Sequence, residues 1–176
     1  MAHLCRYDAR LLFDRLFCMN YWLLKSEPGN FSLADLRARP EQREPWDGVR
    51  NFQARNFMRQ MRAGDQAFFY HSNAKPSGIV GVVEIVGEAR PDPTQFDPES
   101  RYFDAKASVD APRWDLVIVQ FVRAFPAILP LALLKDVPAL ADMEVVRKGS
   151  RLSISPVSPA EWQAVLALAE EAFDDN

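Results

Sequence analysis

Asp65-Gln66-Ala67-Phe68-Phe69-Tyr70-His71 and Ile79-Val80-Gly81-Val82-Val83-Glu84-Ile85-Val86, joined by Ser72-Asn73-Ala74-Lys75-Pro76-Ser77-Gly78, form the stretch that decides the fold. Both outer runs are rich in β-branched and aromatic residues, and the joining segment carries Asn, Pro, Ser and Gly. The pairing predicts a β-hairpin with an elongated loop.

Upstream, Tyr21–Leu24 predicts a short apolar strand. Ser32-Leu33-Ala34-Asp35 has the form of a capping box, and Pro40 ends the short helix that follows. Asn51 can cap a second helix reaching Arg62, in which Ala54, Phe57, Met58 and Met61 fall at i, i+3, i+4 and i+7 and mark a core-facing stripe.

Downstream, residues 90–113 are rich in Pro, Asp and Ser and predict the longest irregular segment. Trp114–Phe125 is apolar at almost every position, which predicts a long strand buried on both faces. Leu129–Leu134 predicts a brief helix and Arg151–Ile154 a short strand. Ser158-Pro159-Ala160-Glu161 opens a last helix that buries Trp162, Val165, Leu166 and Ala169. Strands outnumber helices and no regular βαβ alternation occurs. The class is therefore α+β, around a curved or barrelled sheet.

Residues 19–176 read as one domain, without repeats or a low-complexity linker. Residues 1–18 read as an extension that is not part of the domain. Asp8, Asp14 and Arg15 disfavour a secretory or transit signal there. The competing reading is a docking helix carrying Leu11, Leu12, Arg15 and Leu16.

The composition, 48% hydrophobic and 26% charged over 176 residues, is that of a globular chain with a sizeable core. No apolar run approaches the roughly 20 residues that cross a bilayer. The expectation is a monomer without a membrane partner. The net charge of −3 excludes a strongly basic DNA-coating protein but leaves room for a local basic patch. Arg43, Arg50, Arg55, Arg59 and Arg62 face only Glu44 and Asp47 over that span. Such a segment either contacts phosphates over a small footprint or forms a solvated helical face. Cys5 and Cys18 lie before residue 19, with no metal spacing and no disulfide framework, which fits a reducing cytoplasmic setting.

Catalytic groups are sparse. His3 lies in the extension, so His71 is the one candidate imidazole base of the domain. Nucleophile elbows, glycine-rich phosphate loops and metal-ligand clusters do not occur. The expectation is no catalytic residue, no metal and no cofactor. The alternative is an enzyme acting on a modified nucleotide, with His71 as general base and Ser72 or Asp47 beside it.

Flat aromatic surface beside polar groups is plentiful instead. Trp46-Asp47-Gly48-Val49-Arg50-Asn51, continuing Phe52-Gln53-Ala54-Arg55-Asn56, sets a tryptophan, a turn glycine, arginines and amides together. A core segment does not look like this, because each buried amide left unpartnered costs about 1–3 kcal/mol. The mixture suits stacking on a flat ligand whose edge is read by hydrogen bonds. A nucleobase is such a ligand, and stacking contributes about 1–3 kcal/mol per base.

These segments resemble the EVE-domain family of the PUA-like superfamily. The resemblance rests on Tyr21-Trp22-Leu23-Leu24-Lys25-Ser26-Glu27-Pro28, the Trp46–Asn56 segment, Phe68-Phe69-Tyr70-His71-Ser72, Gly78-Ile79-Val80-Gly81 and Arg151-Leu152-Ser153-Ile154. It implies a mixed β-barrel flanked by short helices and an aromatic pocket for a modified nucleobase. Methylated or hydroxymethylated cytosine in DNA is the favoured ligand. The related YTH domains, which read methylated adenine in RNA, keep a modified-RNA reader as the alternative. Carried across, Trp22, Lys25, Ser26, Trp46, Asn51, His71 and Ser72 line the pocket. Arg50, Arg55 and Arg59 are expected to contact phosphates, and the expected location is a bacterial-type cytoplasm with access to the nucleoid.

Overall fold

The structure, a computed structural model, describes residues 19–174. Both readings of the N-terminal extension lie outside the described residues. In chain order the strands are β1 (Tyr21–Ser26), β2 (Arg43–Trp46), β3 (Gln66–His71), β4 (Gly78–Ile85), β5 (Arg90–Pro91), β6 (Asp115–Pro130) and β7 (Ile154–Val157). The helices are α1 (Leu33–Ala38), α2 (Phe52–Met58), α3 (Leu131–Asp136) and α4 (Pro159–Asp174).

The central hairpin forms as its sequence predicts. β3 and β4 pair antiparallel, with a register shift between Phe69 and Tyr70. β1 lies parallel to β3 and antiparallel to β7. The main strand path is β2-β6-β4-β3-β1-β7, with β5 on the side of β6. The PUA-like mixed sheet flanked by helices is thus present, but its end strands β2 and β7 do not pair, so it is not closed into a barrel.

β1 and β3 are buried on both faces, which divides the core in two. Trp22, Leu24 and Phe69 join Met58, Val83 and Val117 on one side. Leu23, Phe68 and Tyr70 join Leu129, Trp162 and Val165 on the other. The rings of Phe68 and Trp162 stack at 4.0 Å, which seats α4 against the sheet. Such a pair contributes about 0.5–1.5 kcal/mol beyond its buried area.

Local signals account for the helix starts. Ser32 Oγ accepts from the Asp35 amide, and the Asp35 carboxylate accepts from the Ser32 amide. Asn51 Oδ1 accepts from the Ala54 amide at 3.0 Å. Ser158 and Glu161 exchange the same pair of bonds at the start of α4.

Several boundaries differ from the expectation. α2 ends at Met58 rather than Arg62, because the Gln60 and Met61 amides donate to carbonyls three residues back. That tighter winding still turns Met61 into the core, at 2% exposure. β6 runs on to Pro130, since Leu129 and Pro130 still pair with β4, and α3 starts only at Leu131. The expected double-sided burial of this strand holds for Leu116 and Val117, which lie against β5 and β2. It fails at Val122–Ala124, which are exposed; this part pairs with β4 alone. β7 begins at Ile154 instead of ending there. β2 was not expected at all, and it makes Trp46 the last residue of a strand rather than a turn residue. Among the described residues, no helix is long and apolar enough to cross a membrane.

Candidate functional site

β1 finishes in the polar pair Lys25-Ser26 and β2 in Trp46, and their ends frame a cavity of about 530 Å³. Lys25 and Ser26 come from the end of β1, and Asn30 and Phe31 from the turn after it. Trp46 ends β2, and the chain continues along the wall through Asp47, Gly48, Val49 and Arg50. Arg101 and Tyr102 close the cavity from the irregular segment, and Ser153 does so from the residue before β7.

A buried carboxylate holds these walls together. Asp92, fully buried, accepts from the Gly48 amide at 3.0 Å and from Arg50 Nη1 at 2.8 Å. Arg50 spends its other donors nearby: Nε on the Tyr102 carbonyl at 2.7 Å and Nη2 on Thr94 Oγ1 at 2.9 Å. Burial alone would raise the Asp92 carboxyl, but bonds from Thr94, Arg50 and Gly48 outweigh it and hold the group below its ordinary range. The arginine fork therefore fastens the segment carrying Tyr102 to the strand end carrying Trp46.

The remaining groups set the chemistry of the cavity. Trp46 is 8% exposed and packs edge-on against Phe69 with centroids 5.4 Å apart, so it is both core and wall. Ser26 Oγ donates to the Phe31 carbonyl at 2.7 Å, which leaves its oxygen free to accept from a ligand. Burial pushes the Lys25 ammonium below its ordinary pKa, opposed by Glu144. The Asp47 carboxyl is pushed up by burial and by the neighbouring Asp92 and Glu44. Glu44 is itself paired with Arg39 at 2.9 Å. The cavity thus offers an aromatic wall, an acceptor, a half-buried cation and a carboxyl group with raised proton affinity.

Of the residues expected at the pocket, Lys25, Ser26 and Trp46 meet there, joined by Arg50. Four others lie elsewhere. Trp22 is a core residue at 4% exposure, and its indole N–H donates to Asp65 at 3.0 Å. Asn51 is occupied as the cap of α2. His71 Nε2 accepts from the Leu33 amide at 3.2 Å, so its lone pair serves the start of α1, and burial lowers its pKa. Ser72 lines a separate cavity.

The arginines expected on phosphate are also engaged within the protein. Arg50 is the fork just described. Arg55 Nη1 donates to the Arg113 carbonyl, and its guanidinium lies 4.9 Å from the Phe52 ring centroid. Arg59 pairs with Asp115.

Phe31, Tyr102 and Ser153 were missed. Tyr102 comes from a segment without periodicity, so its place depends on the Asp92–Arg50 contact between residues far apart in the chain. The signal that existed was Gly48. Its φ is +71°, and a Cβ there would strike the Tyr102 ring.

The EVE domain family profile matches residues 20–168. Thymocyte nuclear protein 1 of Gallus gallus is 46% identical over 168 residues, covering 86% of this chain and 69% of the relative. The Homo sapiens protein of that name is 44% identical over 169 residues, covering 86% and 75%. A crystal structure of a Pseudomonas putida protein superposes with TM-score 0.82 at 48% identity, covering 85% of this chain and 99% of that one. The crystal structure of human THYN1 in complex with 5-methylcytosine-containing DNA gives TM-score 0.82 at 45% identity, covering 86% and 98%.

Proposed function

The chain belongs to the EVE domain family, and from that premise we propose that it is a non-enzymatic nucleic-acid reader whose β1–β2 cavity takes a modified base, 5-methyl- or 5-hydroxymethylcytosine in DNA. One observation carries the reading: a relative 45% identical across 86% of this chain has been crystallised with DNA containing 5-methylcytosine. The composition of the cavity supports it.

Cytosine presents an amino donor at N4 and acceptors at N3 and O2. The Ser26 oxygen and the Asp47 carboxylate can accept from the amino group, and Lys25 can donate to O2. Trp46 and Tyr102 supply ring surface, and Phe31 and Val49 supply apolar surface for a 5-methyl group. Stacking of about 1–3 kcal/mol per base offsets part of the few kcal/mol needed to draw a base out of a duplex. Single-stranded or mismatched sites therefore bind at least as well as a perfect duplex.

The hydrogen bond from the Leu33 amide to His71 Nε2 supports the non-enzymatic reading, because the enzyme alternative needs that imidazole as a free base. Protein-observed NMR with 5-methyl-2′-deoxycytidine tests the assignment of the cavity. Shifts are expected at Ser26, Trp46 and Tyr102, and weaker ones with unmodified deoxycytidine. Shifts confined to another face would remove the cavity from the account.

A further inference from the structure

We propose that a second cavity, on the far side of Lys25, is a phosphate subsite that takes a backbone phosphodiester of the strand whose base enters the first cavity. Its place on that strand rests on the reading above; its affinity for phosphate does not.

The cavity measures about 300 Å³. Lys25 lines both cavities, so the two meet at this residue. The Lys25 Nζ stands 6.0 Å from the Tyr70 ring centroid, and Tyr70 also belongs to the second cavity. Lys135 reaches in from α3, and Arg147 and Lys148 from the loop before β7. These four cations come from three separate segments of the chain, so their convergence belongs to the fold and not to a single charge run.

The acid that acts on Lys25, Glu144, is already committed. Glu144 accepts from Ser150 Oγ at 2.8 Å and pairs with Arg147 at 3.6 Å. Among the described residues, neither Lys135 nor Lys148 has a carboxylate within ion-pair distance. The Ser72 amide donates to the Ser26 carbonyl, and Ser72, Asn73 and Ser77 line this cavity. Unpaired ammonium groups beside hydroxyl and amide donors suit a compact oxyanion. In a chain of net charge −3, such a cavity is a local exception.

The placement also answers a question raised by the engaged arginines of α2. Because Arg55 already donates to the Arg113 carbonyl and Arg59 pairs with Asp115, the cationic path for a strand lies elsewhere. The base would occupy the first cavity and its phosphate the second, with Lys25 common to both linings. Lys25 would then touch both parts of the ligand.

The test uses the full chain and the double variant Lys135→Gln/Lys148→Gln, whose sites are exposed and outside the first cavity. Wild type and variant are titrated with a short single strand carrying one 5-methylcytosine, over a range of salt, and with 5-methyl-2′-deoxycytidine, which has no phosphate. The variant is expected to lose about tenfold in strand affinity at low salt. Its salt slope should flatten by about 0.7 per lost phosphate contact. Nucleoside binding should not change, and Lys135→Arg/Lys148→Arg should keep both affinity and slope. Inorganic phosphate, followed by amide shifts, should move Ser72, Gly149 and Ser150 in wild type and not in the glutamine variant. Phosphate shifts without any preference for the modified base would retain the subsite and remove the reading of the first cavity. An unchanged slope together with no phosphate shifts would overturn the subsite.

Discussion

Gly48 lies against the ring of Tyr102 so closely that a Cβ placed on it would meet Tyr102 Cζ at 2.5 Å. The same glycine has φ +71° and donates its amide to the buried Asp92. One position thus sets both the turn after β2 and the seat of an aromatic wall. Gly48→Ala is expected to cost about 1–3 kcal/mol through backbone strain and to push Tyr102 off the cavity. Chemical denaturation measures the first effect. The second appears as loss of modified-base affinity under conditions where the variant stays folded.

Arg50 is predicted to matter for stability and not for phosphate binding. Its side chain is the cationic partner of Asp92, whose side chain is fully buried. Removing one member of a buried pair costs about 3–5 kcal/mol, because the other charge is left uncompensated. Arg50→Gln should therefore lower the denaturation midpoint sharply. In the fraction that stays folded, the salt slope of strand binding should match wild type.

Trp46 needs a gentler substitution than alanine. Its ring is part of the core, and truncation of a buried tryptophan costs about 3–5 kcal/mol. Trp46→Phe keeps an aromatic ring against Phe69 while reducing the surface offered to a base. The expected outcome is a folded protein, by near-ultraviolet circular dichroism, that discriminates less between 5-methylcytosine and cytosine.

His71 gives a pH dependence of stability with a definite sign. Burial holds its pKa below the ordinary value of about 6.5, with the opposing pull of Asp35 smaller. The unfolded chain therefore takes up the proton more readily than the folded one. The contribution is fully present above about pH 6.5 and is lost as pH falls towards the lower folded-state value. Protonation of Nε2 also removes the acceptor for the Leu33 amide. His71→Gln retains an acceptor without titrating in this range. It should flatten the fall in melting temperature below pH 6.5 that wild type shows.

The parts of the fold that depend on local chemistry were legible in the sequence. The Ser32–Asp35 box, the Asn51 cap and the Ser158–Glu161 start all form, because each is completed within a few residues. The β3–β4 hairpin was equally plain in its two apolar runs. Boundaries set by distant partners were not. β2 exists because Arg43–Trp46 finds the edge of β6 from Val117 to Gln120, and nothing within Arg43–Trp46 announces that pairing. The site divides in the same way. Lys25 and Ser26 could be placed beside Trp46 from the family resemblance. Tyr102 could not, since its position is fixed by Arg50 and Asp92. Trp22 and His71 carried the polar-aromatic signature of a site, yet they spend it internally on Asp65 and Leu33.

The central claim is that the β1–β2 cavity selects a modified cytosine. The most direct measurement is an equilibrium titration of the wild-type chain, at low salt, with single strands identical except for cytosine, 5-methylcytosine or 5-hydroxymethylcytosine at one central position. The account predicts tighter binding of at least one modified strand, and a preference that shrinks in Trp46→Phe. Equal affinity for all three strands, or no binding to any of them, would contradict it.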